Sequence, residues 1–580
     1  MLARTITGPV AGLIAALSLS ACATVTQAPV APVDATGEAL PPAGGAVSSA
    51  DPRATAAGEA MLEKGGTAVD AAIAVMLALT VVEPQSSGIG GGGFLVLGDG
   101  DGSVTTYDGR ETAPAGATPD WFLDENGEVP PFRESVRSGL SVGVPGNIAL
   151  AAKAHAEHGR LPWNALFQPA IGLARDGFRV NPRFNSSLSD SRDTGARSEQ
   201  GKALFYDASG EPLPVGTTIT NPDLARTLEK IAAAGPTAFY RGELAGDIAR
   251  TVAADTPRNT PMSVSDIESY EAKERAALCA PYRSYRICAM GPPTSGGVAV
   301  LQMLGQLERF DLAALGPRNP TTWHLFVESQ RLAYADRELY LADSDFVPVP
   351  AQGLIAPDYL ARRSALIQPG STLAEVNAGS PAGAATALAD GDEPEERGTS
   401  HIAVVDDAGT MVSYTSTIES AFGSGLMVDG FYLNNELTDF SRSPMVDGKP
   451  VANRVEGGKR PRSSMSPVVV YDPQGRPFMA VGAAGGSTIP VQTARSIIGV
   501  IDFGLGAEEA LGLPFIMAFG DAVLLEEGTW LAESQAAFRA LGHDQLTVRQ
   551  APVKAGIVLR REGSWVSARD PRLAGKLDLP

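Results

Sequence analysis

The residues best placed to do chemistry are Gly398-Thr399-Ser400-His401. A threonine exposed as a new N-terminus carries an α-amine beside its β-hydroxyl, and the amine can act as base for that hydroxyl. The pair is silent until the Gly398–Thr399 bond is cut. Before it, Ala385 to Arg397 is rich in Ala, Gly, Asp and Glu and reads as disordered. After it, Ser400 to Val405, a turn at Asp406-Asp407-Ala408-Gly409 and Met411 to Thr415 read as a buried hairpin. A flexible acidic loop that stops at Gly-Thr and feeds a hairpin suits a self-cleaving hydrolase. More often it is only a loop end, so the rest of the chain must decide.

The 580 residues could hold several domains or one large α/β unit. A formal charge of −20 with no basic cluster argues against nucleic acid as a partner. Arg4 precedes an apolar stretch, Val10 to Leu19, too short to span a bilayer, and Leu19-Ser20-Ala21-Cys22 resembles the lipobox of bacterial lipoproteins. Residues 1–21 are thus expected to be a signal peptide and Cys22 the lipidated residue. Residues 22–49 would be a Pro/Ala-rich tether too poor in large apolar side chains to fold. The mature protein is expected on the periplasmic side of a bacterial membrane, the outer membrane first, held by its lipid anchor alone.

Cys279 and Cys288 flank a hairpin centred on Arg283-Ser284. A two-residue turn there would oppose them at a non-hydrogen-bonded site, with Cα atoms roughly 4.5 Å apart, within reach of a disulfide. Arg-Ser is a poor primed-turn sequence, which leaves the bridge open. Without histidine neighbours the two cysteines make no zinc site, and His155, His158, His324, His401 and His543 show no ligand spacing, so no metal or other cofactor is expected. The run Ser87-Gly88-Ile89-Gly90-Gly91-Gly92-Gly93 lacks the Lys-Ser/Thr ending of a phosphate-binding loop. Close backbone packing explains these glycines better.

Several elements must position Thr399. Ala54 to Val82 reads as helical, 145 to 380 as mostly helical, and Val491 to Phe503 as helical again. Strands Pro467 to Tyr471 and Phe478 to Val481 flank the turn Asp472-Pro473-Gln474-Gly475. Helices, two sets of strands and more helices suggest a four-layer αββα sandwich.

Several ordered segments then resemble the γ-glutamyltransferase family. They are Thr399-Ser400-His401, Ser420 to Gly425, Leu433 to Phe440, Lys459 to Pro467 and Gly485-Gly486-Ser487, preceded upstream by Glu83-Pro84, Arg110 to Pro114, Val144-Pro145-Gly146, Pro292 to Gly297 and Tyr334 to Arg337. The resemblance runs over roughly residues 50 to 575. It implies an N-terminal-nucleophile hydrolase, made as one chain and cut between Gly398 and Thr399 into a large subunit (to 398) and a small one (399–580) that stay together as a heterodimer. It assigns Thr399 as nucleophile, Thr417 as its hydrogen-bonding partner, and Gly485 and Gly486 as oxyanion donors. Arg110 with Ser463 and Ser464 would bind a substrate α-carboxylate, while Glu419, Glu436 and Asp439 would bind the α-ammonium. Three acids round one cation should also raise a carboxylate's pKa. The implied substrates are glutathione and other γ-glutamyl compounds, with water, an amino acid or a peptide as acceptor.

Two features depart from the family pattern: a shortened segment between Phe440 and Ser463, and Gly512-Leu513-Pro514-Phe515-Ile516 in place of an Ala-Pro-Arg-like stretch. Rival readings are a glutaryl β-lactam acylase of the same fold and a non-catalytic γ-glutamyl-peptide-binding lipoprotein. A denaturing gel separates turnover from mere binding. Purified protein should give fragments of about 39 and 19 kDa and Thr399→Ala one uncut band, because the cut needs the threonine hydroxyl; a single inactive wild-type band would refute the enzyme reading.

Overall fold

Alternation along Ser400–Val405 gives its two faces different destinations. Ile402 and Val404 pack into one apolar cluster with Val412 and Tyr414, while Ala403 and Val405 join a second cluster with Met411. The protein, described by a computed structural model over residues 45–384, 389 and 398–579, is built around that division. The signal-like segment, Cys22 and the run 385–397 apart from Ala389 lie outside the described residues.

One six-stranded sheet contains Ala46–Ser49 (β1), Gly92–Gly98 (β2), Val104–Asp108 (β3), Lys273–Arg275 (β4), Ser400–Val405 (β7) and Met411–Thr417 (β8), in the order β1-β7-β8-β2-β3-β4. The other contains Leu278–Tyr282 (β5), Tyr285–Ala289 (β6), Val468–Tyr471 (β9), Pro477–Ala484 (β10), Lys554–Arg561 (β11) and Ser564–Arg569 (β12), in the order β12-β11-β10-β9-β6-β5. Helices Pro52–Glu63 (α1) and Ala68–Val82 (α2) share the first cluster with the outer face of the first sheet. Helices Gly296–Leu307 (α3), Pro320–Tyr340 (α4) and Ile489–Ile501 (α5) share the second cluster with both faces of the second sheet and the inner face of the first. The αββα layering follows. Each sheet is covered on both faces, so its strands read as nearly continuous apolar runs.

The chain from Ala54 to Val82 is two helices, broken at Gly65-Gly66, where Gly65 takes φ +79°. Every residue of α2 is buried, as an all-round apolar helix requires, and Thr67 and Asp70 close its N-terminus with a capping box. The glycine run is a close-packing device: a Cβ on Gly91 would strike the Thr417 carbonyl, and one on Gly90 the Tyr432 carbonyl. The 22–49 tether needs one correction. Its last residues form β1, which pairs antiparallel with β7 in register Ala46 with Val405, and Ser48 Oγ donates to the Ala568 carbonyl at 2.6 Å. Val47 is buried there, and a sheet edge supplies ladder partners that local composition cannot reveal.

β5 and β6 form the hairpin that opposes Cys279 to Cys288, and the structure joins them as a disulfide with Cα atoms 4.1 Å apart. The unfavourable turn is held from outside. Arg283 and Ser284 take φ of 48° and 71°, and the Arg283 guanidinium donates to Asp502 and to backbone carbonyls of Leu307 and Phe310. The 512–516 stretch is clamped in a similar way, with the Leu513 carbonyl accepting from Arg495 (2.7 Å) and Arg572 (2.8 Å). Between 440 and 463 a small hairpin, Met445–Val446 with Lys449–Pro450, carries exposed apolar tips. Gly91→Ala should lower stability by about 1–3 kcal/mol, as overpacking typically does, read as reduced thermal unfolding temperature; an unchanged temperature would show that β2 can move away from Thr417.

Candidate active site

Register places the threonines together. β7 pairs with β8 so that Ser400 opposes Ser416, which sets Thr399 opposite Thr417 at the end of the ladder. Odd-numbered residues here face the second sheet: His401 sits against Gly482, and Ser413 Oγ donates to the Val481 carbonyl at 3.0 Å. Thr399 and Thr417 therefore meet at the open end of the sandwich, their hydroxyl oxygens 3.2 Å apart. Thr399 Oγ lies directly against the Gly398 carbonyl oxygen, and Thr417 Oγ is 3.5 Å from the same oxygen. Gly398 has no room for a side chain, since a Cβ would meet the Glu419 carbonyl.

The second sheet supplies the facing wall. Ala484, the last residue of β10, pairs with Lys554, the first of β11. Gly485 follows at φ +125° and Gly486 at φ +59°, conformations open to glycine. Neither backbone N–H has an acceptor among the described residues. Gly485 shares with Thr399 a cleft of about 670 Å³.

A hydrogen-bonded path leads from Thr417 to the acids. Thr417 Oγ accepts from the Glu419 N–H at 2.8 Å, and Asn435 Nδ2 donates to Glu419 Oε2. Glu419 holds φ +73°, an unusual conformation for a non-glycine residue and one that concentrates at functional sites. Glu436 and Asp439 stand on one short 3₁₀ turn. Arg110 forms buried ion pairs with both. Its Nε donates to the Pro461 carbonyl at 3.2 Å and an Nη to the Arg462 carbonyl at 2.9 Å.

This arrangement differs from the sequence assignment, in which Arg110 waited with Ser463 and Ser464 for a carboxylate. Two of the three acids expected to hold an ammonium, Glu436 and Asp439, already hold Arg110. Ser463 Oγ accepts from the Met465 N–H at 3.1 Å, and Ser464 Oγ accepts from Arg337 at 2.8 Å. Arg337 also donates to Ser295 Oγ at 2.8 Å, and that hydroxyl donates to the Ser463 carbonyl at 2.6 Å. Ser295 and Arg337 are thus braces for the serine pair; motif position marks them but says nothing of this role.

The electrostatics follow from crowding acids in a dry site. Burial first, and then repulsion from Asp439, holds the Glu419 carboxyl well above its usual range. Burial also raises Glu436 well above its usual range, against the opposing pull of Arg110. Glu111 is pushed up to about 7, again by burial. Glu419 Oε1 and Glu436 Oε2 are buried and accept no hydrogen bond. Unpaired buried carboxylate oxygens are costly, and a cation would relieve them.

Behind Thr399 lies a network with no advance signal in the sequence. Lys554 Nζ donates to the Thr399 carbonyl (2.9 Å), to Ser400 Oγ (3.1 Å) and to Glu83 Oε2 (2.7 Å), while Arg183 pairs with Glu83 Oε1. Residue spacing could not place a lysine 155 positions away against the Thr399 backbone. His401 Nδ1 is 2.9 Å from Thr415 Oγ, and burial lowers its pKa to about 3, which keeps it neutral. The histidines are less scattered than the sequence suggests. His324 Nδ1 and His543 Nε2 are hydrogen-bonded at 2.8 Å beside Glu328, whose oxygens accept from Thr372 Oγ and the Leu373 N–H. The Arg331 guanidinium also binds Glu328, so that carboxylate is already neutralised.

A four-layer αββα sandwich with a threonine at one end of its central sheets defines an N-terminal-nucleophile hydrolase architecture. The family model described as gamma-glutamyltranspeptidase matches residues 54–578, and the chain belongs to that family. It is 39% identical over 485 residues to a glutathione hydrolase proenzyme of Bacillus subtilis (strain 168), covering 81% of this chain and 80% of that one. Against a glutathione hydrolase proenzyme of Escherichia coli (strain K12) it is 35% identical over 588 residues, covering 96% and 97%. A cephalosporin acylase from Bacillus halodurans superposes with TM-score 0.78 at 25% identity, covering 94% of this chain and 96% of that one.

The raised carboxyl pKa of Glu419 has a stability consequence. A group whose pKa is higher folded than unfolded stabilises below its unfolded value, and that contribution is lost as pH rises through the folded value. Glu419→Gln removes the loss. Its thermal unfolding temperature, relative to wild type, should climb steadily as pH is raised above the ordinary value of 4.5. A difference that stays flat or falls across that range would contradict a buried, protonated Glu419.

Proposed function

We propose that this chain is a self-processing γ-glutamyl hydrolase and transferase acting on glutathione and related γ-glutamyl amides. In the precursor, Thr399 Oγ attacks the Gly398 carbonyl carbon, the peptide N leaves as the Thr399 amine, and water hydrolyses the resulting ester. In the mature enzyme the α-amine takes the proton of Thr399 Oγ as that oxygen attacks the substrate γ-carbonyl. The N–H groups of Gly485 and Gly486 receive the oxyanion. The expelled amine takes the proton from the Thr399 amine and leaves a γ-glutamyl ester. Water or a second amine then attacks the ester and returns the hydrogen to Thr399 Oγ. Thr417, 3.2 Å from the nucleophile, orients it.

The excess of buried carboxylate beside this site carries the substrate reading. Glu419 and Glu436 each present an oxygen with no hydrogen bond, and a γ-glutamyl α-ammonium supplies the missing cation. As that cation enters, the Arg110 guanidinium can share its donors with the α-carboxylate, since a guanidinium fork suits a carboxylate. A glutaryl group offers no ammonium and would leave the acids facing each other. A protein that only binds has no use for a hydroxyl pair at a scissile bond. Export, with Cys22 as lipid anchor at the outer membrane, completes the proposal and rests on the lipobox-like Leu19-Ser20-Ala21-Cys22.

Competing anilides test the choice. The processed protein should release nitroaniline from the γ-glutamyl substrate at least about a hundredfold faster than from the glutaryl one, the scale of losing a charge-assisted contact in a closed site. Glu419→Gln should raise KM for the γ-glutamyl anilide about tenfold while changing kcat less. Faster glutaryl release would overturn the assignment in favour of an acylase.

A further inference from the structure

Cutting the Gly398 bond removes one of the two attachments that hold Thr399. The ladder between β7 and β8 has its last pair at Ser400 and Ser416, so Thr399 stands one residue beyond it. In the uncut chain Gly398 fixes the other side, packed so closely that a Cβ there would meet the Glu419 carbonyl. Once that side is free, the Thr399 peptide plane is held through its own carbonyl, and the donor to that carbonyl is Lys554 Nζ at 2.9 Å. The plane contains the Thr399 Cα, so a turn of it carries amine and hydroxyl together away from Thr417.

Lys554 is itself anchored on two sides. Its Nζ also donates to Ser400 Oγ at 3.1 Å and to Glu83 Oε2 at 2.7 Å, and Ser400 Oγ donates to the same Glu83 oxygen at 2.7 Å. Its backbone N–H donates to Gln492 Oε1 at 2.9 Å. Nε2 of that buried glutamine donates to the Ala484 carbonyl and to Thr488 Oγ, each at 2.8 Å, and Thr488 Oγ donates to the Gly485 carbonyl at 2.7 Å. One residue therefore ties the Thr399 carbonyl to the turn that carries Gly485 and Gly486. Burial, with Arg183 adding to it, pulls the Lys554 pKa well below its usual value. The tie does not require a charge, because a neutral amine still has two hydrogens to donate.

We propose that Lys554 is a positioning residue: it holds the freed Thr399 amine and hydroxyl at a fixed place relative to the Gly485–Gly486 turn. This rests on the γ-glutamyl reading above, in which Thr399 attacks and those glycines receive the oxyanion. The lysine acts through the Thr399 backbone. Its reach into the rate is large, because a misplacement of about 1 Å can cost on the order of a hundredfold.

Lys554→Met should fold, since Glu83 keeps Arg183 as its partner. It should be cut into two fragments as wild type is, and release nitroaniline from γ-glutamyl-4-nitroanilide with kcat at least about tenfold lower and KM within about twofold. Lys554→Cys separates the amine from the space it fills. After processing it is alkylated with 2-bromoethylamine, which rebuilds a chain of lysine's length ending in an amine, or with 1-bromopropane, which ends the same chain in a methyl group. Cys279 and Cys288 are bridged and do not react, and wild type treated alike corrects for Cys22. The aminoethyl form should exceed the propyl form in kcat at least about fivefold at similar KM, the scale of one hydrogen bond. A lysine that only filled space would leave the two equal. Agreement of the alkylated forms within about twofold, or a Lys554→Cys protein that is never cut, would overturn the positioning role and leave the γ-glutamyl reading standing on wild-type turnover. No release of nitroaniline by processed wild type would sink that reading and this inference together.

Discussion

The antiparallel register between Ser400–Val405 and Met411–Thr417 is the constraint on which the site depends. A slip of one residue would turn Thr399 to the helical face and bury its hydroxyl against α2. The register is held at the hairpin turn, where Asp406 accepts from the N–H groups of Ala408 and Thr410. It is held again by β2 on the far side of β8, where a row of glycines admits the Thr417 carbonyl at close range. With that pairing set, the two threonine hydroxyls are brought together by backbone geometry alone.

The second sheet then contributes what the first cannot. The end of β10 turns through Gly485 and Gly486, whose backbone N–H groups have no acceptor among the described residues, while the start of β11 delivers Lys554 to the Thr399 carbonyl. A sandwich whose sheets end together thus places Thr399 on one sheet and Gly485, Gly486 and Lys554 on the other. The cost is a dense set of buried charges. Glu83, Lys554 and Arg183 satisfy one another, whereas Glu419 and Glu436 are left with oxygens unpartnered. That asymmetry separates a mutually satisfied ion network from acids with oxygens left unpartnered.

Charge also divides the surroundings of Thr399. Buried acids gather round Arg110, and cations line the open cleft. The same division shows why fold alone does not choose among chemistries: a cephalosporin acylase shares this architecture at TM-score 0.78. The side chains around the threonine carry the distinction.

Much of this was legible in residue order. Short apolar, β-branched runs bounded by turn residues located β7, β8, β9 and β10, the glycine run announced close backbone contact, and Gly398-Thr399 at a loop–strand junction marked the candidate nucleophile. Such signals are local, and local sterics write them directly into sequence. Four matters belonged to tertiary structure. β1 exists because β7 offers it an edge; Arg110 rests on Glu436 and Asp439 rather than waiting with Ser463 and Ser464; Lys554 reaches Thr399; and the basic side chains of the cleft converge from positions 183, 549, 554 and 576. Each joins residues far apart in the chain through burial or charge, and neither has a period that a sequence can display. Residue order marks which residue can become a nucleophile, because a loop–strand junction is a local feature, and the packing of the two sheets decides what surrounds it.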